Sequence, residues 1–164
     1  MMHYHATPED HAVLEKKGFL LVDSGATYMD GTTDITRTYP LGPLTEDEKR
    51  FYTWTLQSHI DLAKAVWLDY CECKMIDTIA REPLWRHLIN YRCGTGHSVS
   101  FVGNVHEGPH ALNSRNTTRM RPGMVVTDEP GVTRPTLWAS ASRTSWCACT
   151  RPITSTVPSL VLNR

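Results

Sequence analysis

Between Gly131 and Arg164 the chain has no aspartate, glutamate, lysine or histidine. Arginine is the only charged residue type there, set among serines, threonines, tryptophans and two cysteines. That stretch has no carboxylate or imidazole side chain to offer a site. Across all 164 residues there is no charge excess either, since 17 basic residues balance 17 acidic ones. This balance excludes a nucleic-acid or membrane-surface binder held by bulk charge. No apolar run nears the roughly 20 residues of a membrane span. The opening Met1-Met2-His3-Tyr4-His5 lacks a signal peptide's basic and apolar regions, so a cytoplasmic location is expected. Cysteine is scarce and odd in number, at five. Cys71 and Cys73 form one C-x-C, Cys147 and Cys149 another, and Cys93 stands alone. Structural zinc pairs are usually spaced by about two to four residues, so reduced thiols are expected instead.

What is present reads as strands mixed with helices, which predicts an α+β fold. Gly18 to Tyr28 is a buried-strand pattern ending in turn-formers. Asp30-Gly31 is a strong turn signal, and the alternation after it predicts a second strand. A long helix is expected from Leu44 to Trp67, with Thr45 as N-cap and Glu48 as its capping-box partner. Phe51, Leu56, Ile60, Leu62, Ala63 and Val66 form its apolar stripe. A second helical region spans Lys74 to Ile89 and is expected to break near Pro83.

Asp23, Asp34, His97 and Glu129 place hard or borderline metal ligands beside predicted strands. Carboxylates with one imidazole suit Mn²⁺, Co²⁺, Zn²⁺ or Fe²⁺. A tight turn at Asp30-Gly31 would set Thr27 opposite Asp34. Asp23 shares Thr27's parity, so both acids fall on one face, but four residues apart along the sheet. Bringing them together needs a bulge or an earlier reversal. Each residue alone also has an ordinary reading. Asp23 is then a turn acid, Asp34 a solvated strand acid, Gly94 to His97 a glycine loop and Glu129 a turn residue. His5, His11, His59, His87 and His110 read as surface residues.

The joint pattern is distinctive. "HYHATPE", "LLVDSGATYMDGTTDITRT", "CGTGH", "NVHEGP" and "GMVVTDEPG" follow in order. From His3 to about Val132 the chain resembles the catalytic domain of aminopeptidase P, an Xaa-Pro aminopeptidase among the pita-bread metallopeptidases. The resemblance implies a hydrolase with two divalent metals, usually Mn²⁺, with Co²⁺ or Zn²⁺ as alternatives. Asp23 matches an acid that chelates one metal, Asp34 a bridging acid, and His97 and Glu129 ligands of the second metal. His3 and His106 match histidines that bind substrate and steady the tetrahedral intermediate. Cys93 stands where many relatives have a substrate-contacting histidine. The implied substrate is a peptide with proline second, and intact relatives are expected to be homo-oligomers.

The chain also departs from the family. Ser98 and Ser100 replace glycines, which predicts strain beside His97 if positive φ is needed there. The resemblance also implies an N-terminal domain ahead of the catalytic one, and no part of it is expected within this sequence. The fifth ligand, a glutamate in a Gly-Ile-Arg-Ile-Glu-Asn motif, is absent after Gly131. Residues Trp138 to Ser145, back-translated and read from the third base of the Trp138 codon, can give Gly-Ile-Arg-Ile-Glu-Asn-Glu. Tyrosine is recovered the same way at Val132-Thr133. One lost base near codon 132 accounts for both, and the hidden glutamate spans Ser142 and Arg143. The expectation is therefore an incomplete catalytic domain over 1–132 and an aberrant tail over 133–164. That tail should not form the family's final strands, leaving neighbouring edges exposed. Little or no peptidase activity is expected of the chain as written. The alternatives are a prolidase-type dipeptidase and a pita-bread binding module without catalysis.

Overall fold

A computed structural model describes residues 6–134, 144–147 and 153–154. His3, His5, Ser142 and Arg143 lie outside the described residues, as does most of the 133–164 tail. Two long strands, β1 (Phe19–Tyr28) and β2 (Gly31–Pro40), form an antiparallel hairpin. Two helices follow, α1 (Glu46–Lys64) and α2 (Cys73–Trp85). Short strands complete the chain: β3 (Gly96–His97), β4 (Ala111–Leu112), β5 (Val125–Val126), β6 (Gly131–Arg134), β7 (Thr144–Cys147) and β8 (Ile153–Thr154). They pair antiparallel as β3 with β4, β5 with β8 and β6 with β7. Each of β5 and β6 thus has a tail strand on one side, β8 and β7 respectively. Thr144 to Cys147 and Ile153-Thr154 are β-branched and aromatic enough to pair through their backbones.

The hairpin turns one residue earlier than the Asp30-Gly31 signal predicted. Tyr28 faces Gly31, so Met29 and Asp30 make the turn. Gly31 leaves it with φ 145°, a conformation that glycine supplies without a Cβ clash. Asp34 therefore faces Gly25 and Asp23 faces Thr36. The acids share one face, two positions apart instead of four. The buried side of β2 is its polar side, since Thr36 is buried while Ile35 is exposed.

Helix α1 begins with the predicted capping box. Glu48 N–H donates to Thr45 Oγ1 at 3.2 Å, and Thr45 N–H to Glu48 Oε2 at 2.7 Å. Its apolar stripe needs correction. Of the six predicted residues, Leu62 is buried, whereas Ile60 and Val66 face solvent. The buried line is Thr55, Ser58, His59 and Leu62. Thr55 and Ser58 donate to the carbonyls four residues back, at 2.8 and 3.2 Å, which satisfies their hydroxyls inside the fold. The amides of Cys73 and Lys74 at the start of α2 bond the carbonyls of Thr118 and Asn116, both at 2.9 Å. The helix ends at Trp85, two residues past Pro83, close to the expected break and short of Ile89. Pro83 lies in the last turn, where it has no N–H to give the carbonyl four residues back, which favours an end there.

The two helices pack over one core of Leu62, Cys73, Ile76, Ala80, Leu112, Met120 and Val126. A second cluster joins Leu84, Tyr91 and Val132 to Phe19, Phe51, Tyr52 and Trp54. Cys71, Cys73 and Cys93 are free thiols.

After α2 the chain closes on a left-handed residue. Ile89 N–H bonds Leu84 O at 3.1 Å and Leu88 N–H bonds Trp85 O at 2.9 Å, with Leu88 at φ 58°. Glycine usually holds this position, because a Cβ there costs about 1–2 kcal/mol. Leu88 is 98% exposed and so gains nothing by burial. Leu88→Gly is expected to raise unfolding free energy by about 1 kcal/mol in urea denaturation.

Candidate metal centre

Three segments distant in sequence converge on one point. Strand β3 brings His97, β2 brings Asp34, and the segment after β5 brings Glu129. One ligand atom from each lies within 4.8 Å of the others. His97 Nε2 is 2.8 Å from Glu129 Oε1 and 3.3 Å from Asp34 Oδ2. Among the described residues this is the one such cluster of three or more ligand types.

The backbone fixes two of the three. Thr127 N–H bonds His97 O and Glu129 N–H bonds Thr95 O, both at 2.8 Å. This antiparallel pairing puts His97 and Glu129 on one face. Thr127 Oγ1 joins both, accepting from His97 N–H at 2.9 Å and donating to Glu129 Oε1 at 2.5 Å. Asp34 arrives on the hairpin, whose tip is pinned by Thr27 and Thr32 hydroxyls donating to Gly103 O at 3.1 and 3.0 Å.

The donor set fits a divalent cation of borderline hardness. His97 Nδ1 lies 3.0 Å from Ser98 O, and a carbonyl can only accept. The Nδ1 proton is thus fixed, and Nε2 is the ligand atom of the neutral ring. Burial opposes charge on His97, but the Asp34 and Glu129 carboxylates outweigh it. They push its pKa up to about 10. A proton on Nε2 and a metal ion there are alternatives, because both answer the same negative field.

The other predicted site residues fall around this centre. His106 is exposed, its ring edge-on to His97 with centroids 4.0 Å apart. Asp23 is exposed and accepts from Thr36 Oγ1 at 2.8 Å. It shares Asp34's face but lies outside the cluster of three. Cys93 packs on the Leu84–Tyr91–Val132 cluster, with Sγ 3.7 Å from Gly131 O, and burial pushes its thiol pKa up. His3 is not among the described residues. Ser98 and Ser100 both keep negative φ, so the strain predicted for them is absent. Their backbones instead bond to neighbouring chain, Ser98 N–H to His110 O and Ser100 N–H to Asn104 O, both at 3.3 Å.

Sequence reasoning missed several residues here. His59, read as a surface residue, is 8% exposed, and its Nδ1 lies 2.9 Å from the fully buried Asp128. The angle is poor for a hydrogen bond, so the two groups are in close polar contact. Burial pushes Asp128's pKa up and His59 opposes the rise. His110 is half-buried and its Nε2 meets Val125 O at 2.8 Å. His87 is exposed but stacks on Trp54 at 3.9 Å. The signal for His59 was its spacing of four from Thr55 and three from Leu62, masked by its polarity.

The sequence model of metallopeptidase family M24 matches residues 1–150. A probable Xaa-Pro aminopeptidase P of Laccaria bicolor is 44% identical over 134 residues, 80% of this chain and 21% of that protein. Aminopeptidase P1 of Lotus japonicus is 43% identical over 132 residues, 80% of this chain and 20% of that protein. The chain thus spans about a fifth of the length of the curated relatives it matches. Among solved structures, X-prolyl aminopeptidase from Caenorhabditis elegans, a cytosolic enzyme with a di-nuclear active site, has a TM-score of 0.67 at 32% identity. The match covers 80% of this chain and 24% of that one. Prolidase from Pyrococcus furiosus has a TM-score of 0.69 at 25% identity, covering 87% of this chain and 43% of that one. The fold is therefore a truncated piece of the pita-bread type. No helix of the described residues is long and apolar enough to cross a membrane.

The close approach of the Thr127 segment generates a test. A Cβ built on Gly96 would stand 1.8 Å from Thr127 O. Gly96→Ala must therefore push the two segments apart. The expected loss is about 3 kcal/mol of unfolding free energy, measured in urea.

Proposed function

The chain belongs to metallopeptidase family M24, and from that premise we propose that it is the ligand-bearing part of an aminopeptidase P catalytic domain. The reaction would be hydrolysis of the bond between an N-terminal residue and a following proline. The observation that carries this reading is the convergence of Asp34, His97 and Glu129 from three separate segments. The 41–44% identity to proteins named Xaa-Pro aminopeptidase P or aminopeptidase P supports the choice of substrate. A cytosolic location is proposed by likeness to the nematode enzyme.

Asp34, His97 and Glu129 would hold one divalent ion. Asp23, two positions along the same face, would serve a second. When bound, such ions supply Lewis acidity and an activated water, and Mn²⁺, Co²⁺ and Zn²⁺ all suit the donors. The chain's own residues do the rest. Ser98 O orients the His97 ring, and the Thr127 hydroxyl holds the Glu129 carboxylate. His106, on the exposed side of His97, would hydrogen-bond the substrate carbonyl and steady the developing oxyanion. His3 keeps the substrate-binding role its resemblance implies, and Cys93 would border that pocket in place of a histidine.

No aspartate or glutamate follows Glu129. A fifth, bridging carboxylate therefore has no source in the tail, and we expect one tight and one weak metal with low turnover. Several solved neighbours are prolidases. A dipeptidase reading is separated by substrate length, since only an aminopeptidase P cleaves tripeptides and longer chains.

Calorimetric titration of the metal-free chain with Mn²⁺ and Co²⁺ tests the site. One high-affinity equivalent is expected. Asp34→Ala, His97→Ala and Glu129→Ala should each weaken it by more than the about 10–100-fold that an outer partner costs. Unchanged affinity in all three variants would sink the assignment. Cleavage of an Xaa-Pro tripeptide should be slow and abolished by chelation. Full-rate cleavage with two bound ions overturns the view that the chain is impaired.

A further inference from the structure

A second polar cluster lies behind the metal centre, wholly within the fold. Arg81 is 7% exposed, Asp77 1%, Tyr91 4% and Thr95 0%. The Arg81 guanidinium donates through Nε to Asp77 Oδ2 at 2.7 Å and through Nη1 to Asn90 Oδ1 at 2.9 Å. It also donates to two backbone carbonyls, Tyr91 O at 2.8 Å and Cys93 O at 2.9 Å. Thr95 Oγ1 donates to Asp77 Oδ1. Its single proton is then committed, so Tyr91 O–H donates to Thr95 Oγ1 at 2.5 Å. The Arg81 group also lies 4.0 Å over the Tyr91 ring. One face of α2 thus grips residues 91, 93 and 95 in alternation.

Thr95 links this grip to the site. Its side chain is held by α2, while its carbonyl takes the Glu129 amide at 2.8 Å. Two residues on, His97 O takes the Thr127 amide at 2.8 Å. We propose that Asp77 and Arg81 are positioning residues that act through Thr95 to set the register of His97 against Glu129. The metal-binding consequence rests on the site reading above, but the register itself does not. A planar five-donor fork suits this task, because it fixes several carbonyls at once in direction as well as distance. A buried pair that only stabilised the core would not need to end on alternate backbone carbonyls leading into the site.

Thr95→Val keeps the side-chain shape and removes the hydroxyl. In the full chain without metal, amide exchange at Glu129 and Thr127 should accelerate about tenfold relative to Ser58 and Leu62 in α1. Co²⁺ affinity should fall about tenfold, with altered visible absorption bands, as for an outer-shell partner. Thr95→Ser should restore both. Exchange at Glu129 that is unchanged, or that rises only in step with α1, overturns the proposal. If Thr95→Val does not fold, Tyr91→Phe removes one bond to the same hydroxyl and is judged by the same exchange ratio. A wild-type chain that takes up no Co²⁺ overturns the metal reading instead, because the exchange measurement needs no metal.

Discussion

The candidate site depends on two backbone hydrogen bonds, Thr127 N–H to His97 O and Glu129 N–H to Thr95 O. They place an imidazole and a carboxylate on one face from segments about thirty residues apart. The spacing permits no side chain between them. Gly96 meets this requirement where any Cβ would strike the Thr127 carbonyl. Much else serves that juncture. The helices support it from behind, His59 of α1 against Asp128 and Arg81 of α2 against residues 90–93. The hairpin adds Asp34 from the open side, and its tip is tied to the loop before His106 at Gly103.

Gathering two carboxylates about one imidazole is unfavourable for a core built only for stability. Half-buried charges lose hydration, and the carboxylates repel each other. A histidine pushed up to about 10 is the electrostatic measure of that surplus negative field. The inverted β2 strand has the same meaning, since it turns Asp34 and Thr36 inward and leaves Ile35 to solvent. Stability alone would favour the reverse. Places where burial opposes hydrophobic order are where a site is to be sought.

Legibility followed the kind of force involved. The capping box at Thr45 and Glu48 was readable because every partner lies within four residues. The three-residue cluster was readable through its motifs, not through periodicity. Asp30-Gly31 announced a turn but misplaced it by one residue. A glycine with positive φ can stand within a turn or just past it, and sequence does not separate the two. His59 was lost because its polarity outweighed its helical spacing. Its partner Asp128 is 69 residues away, and only the fold brings them together. Pro83 was readable because its effect is local: the helix ends two residues past it, at Trp85.

The end of the chain separates two demands that usually travel together. Strand pairing asks only for backbone amides and carbonyls in an extended run, so any stretch rich in threonine, valine, isoleucine or tryptophan can meet it. Residues 144–147 and 153–154 do so against β6 and β5. Ligation asks for a particular side chain at a particular place on the ladder. A segment without a single carboxylate or imidazole cannot supply one, however well it pairs. A correct-looking edge at β6 is therefore no evidence for a complete site beneath it. Among the described residues, the side chains gathered at the centre, Asp34, His97 and Glu129, all precede Gly131.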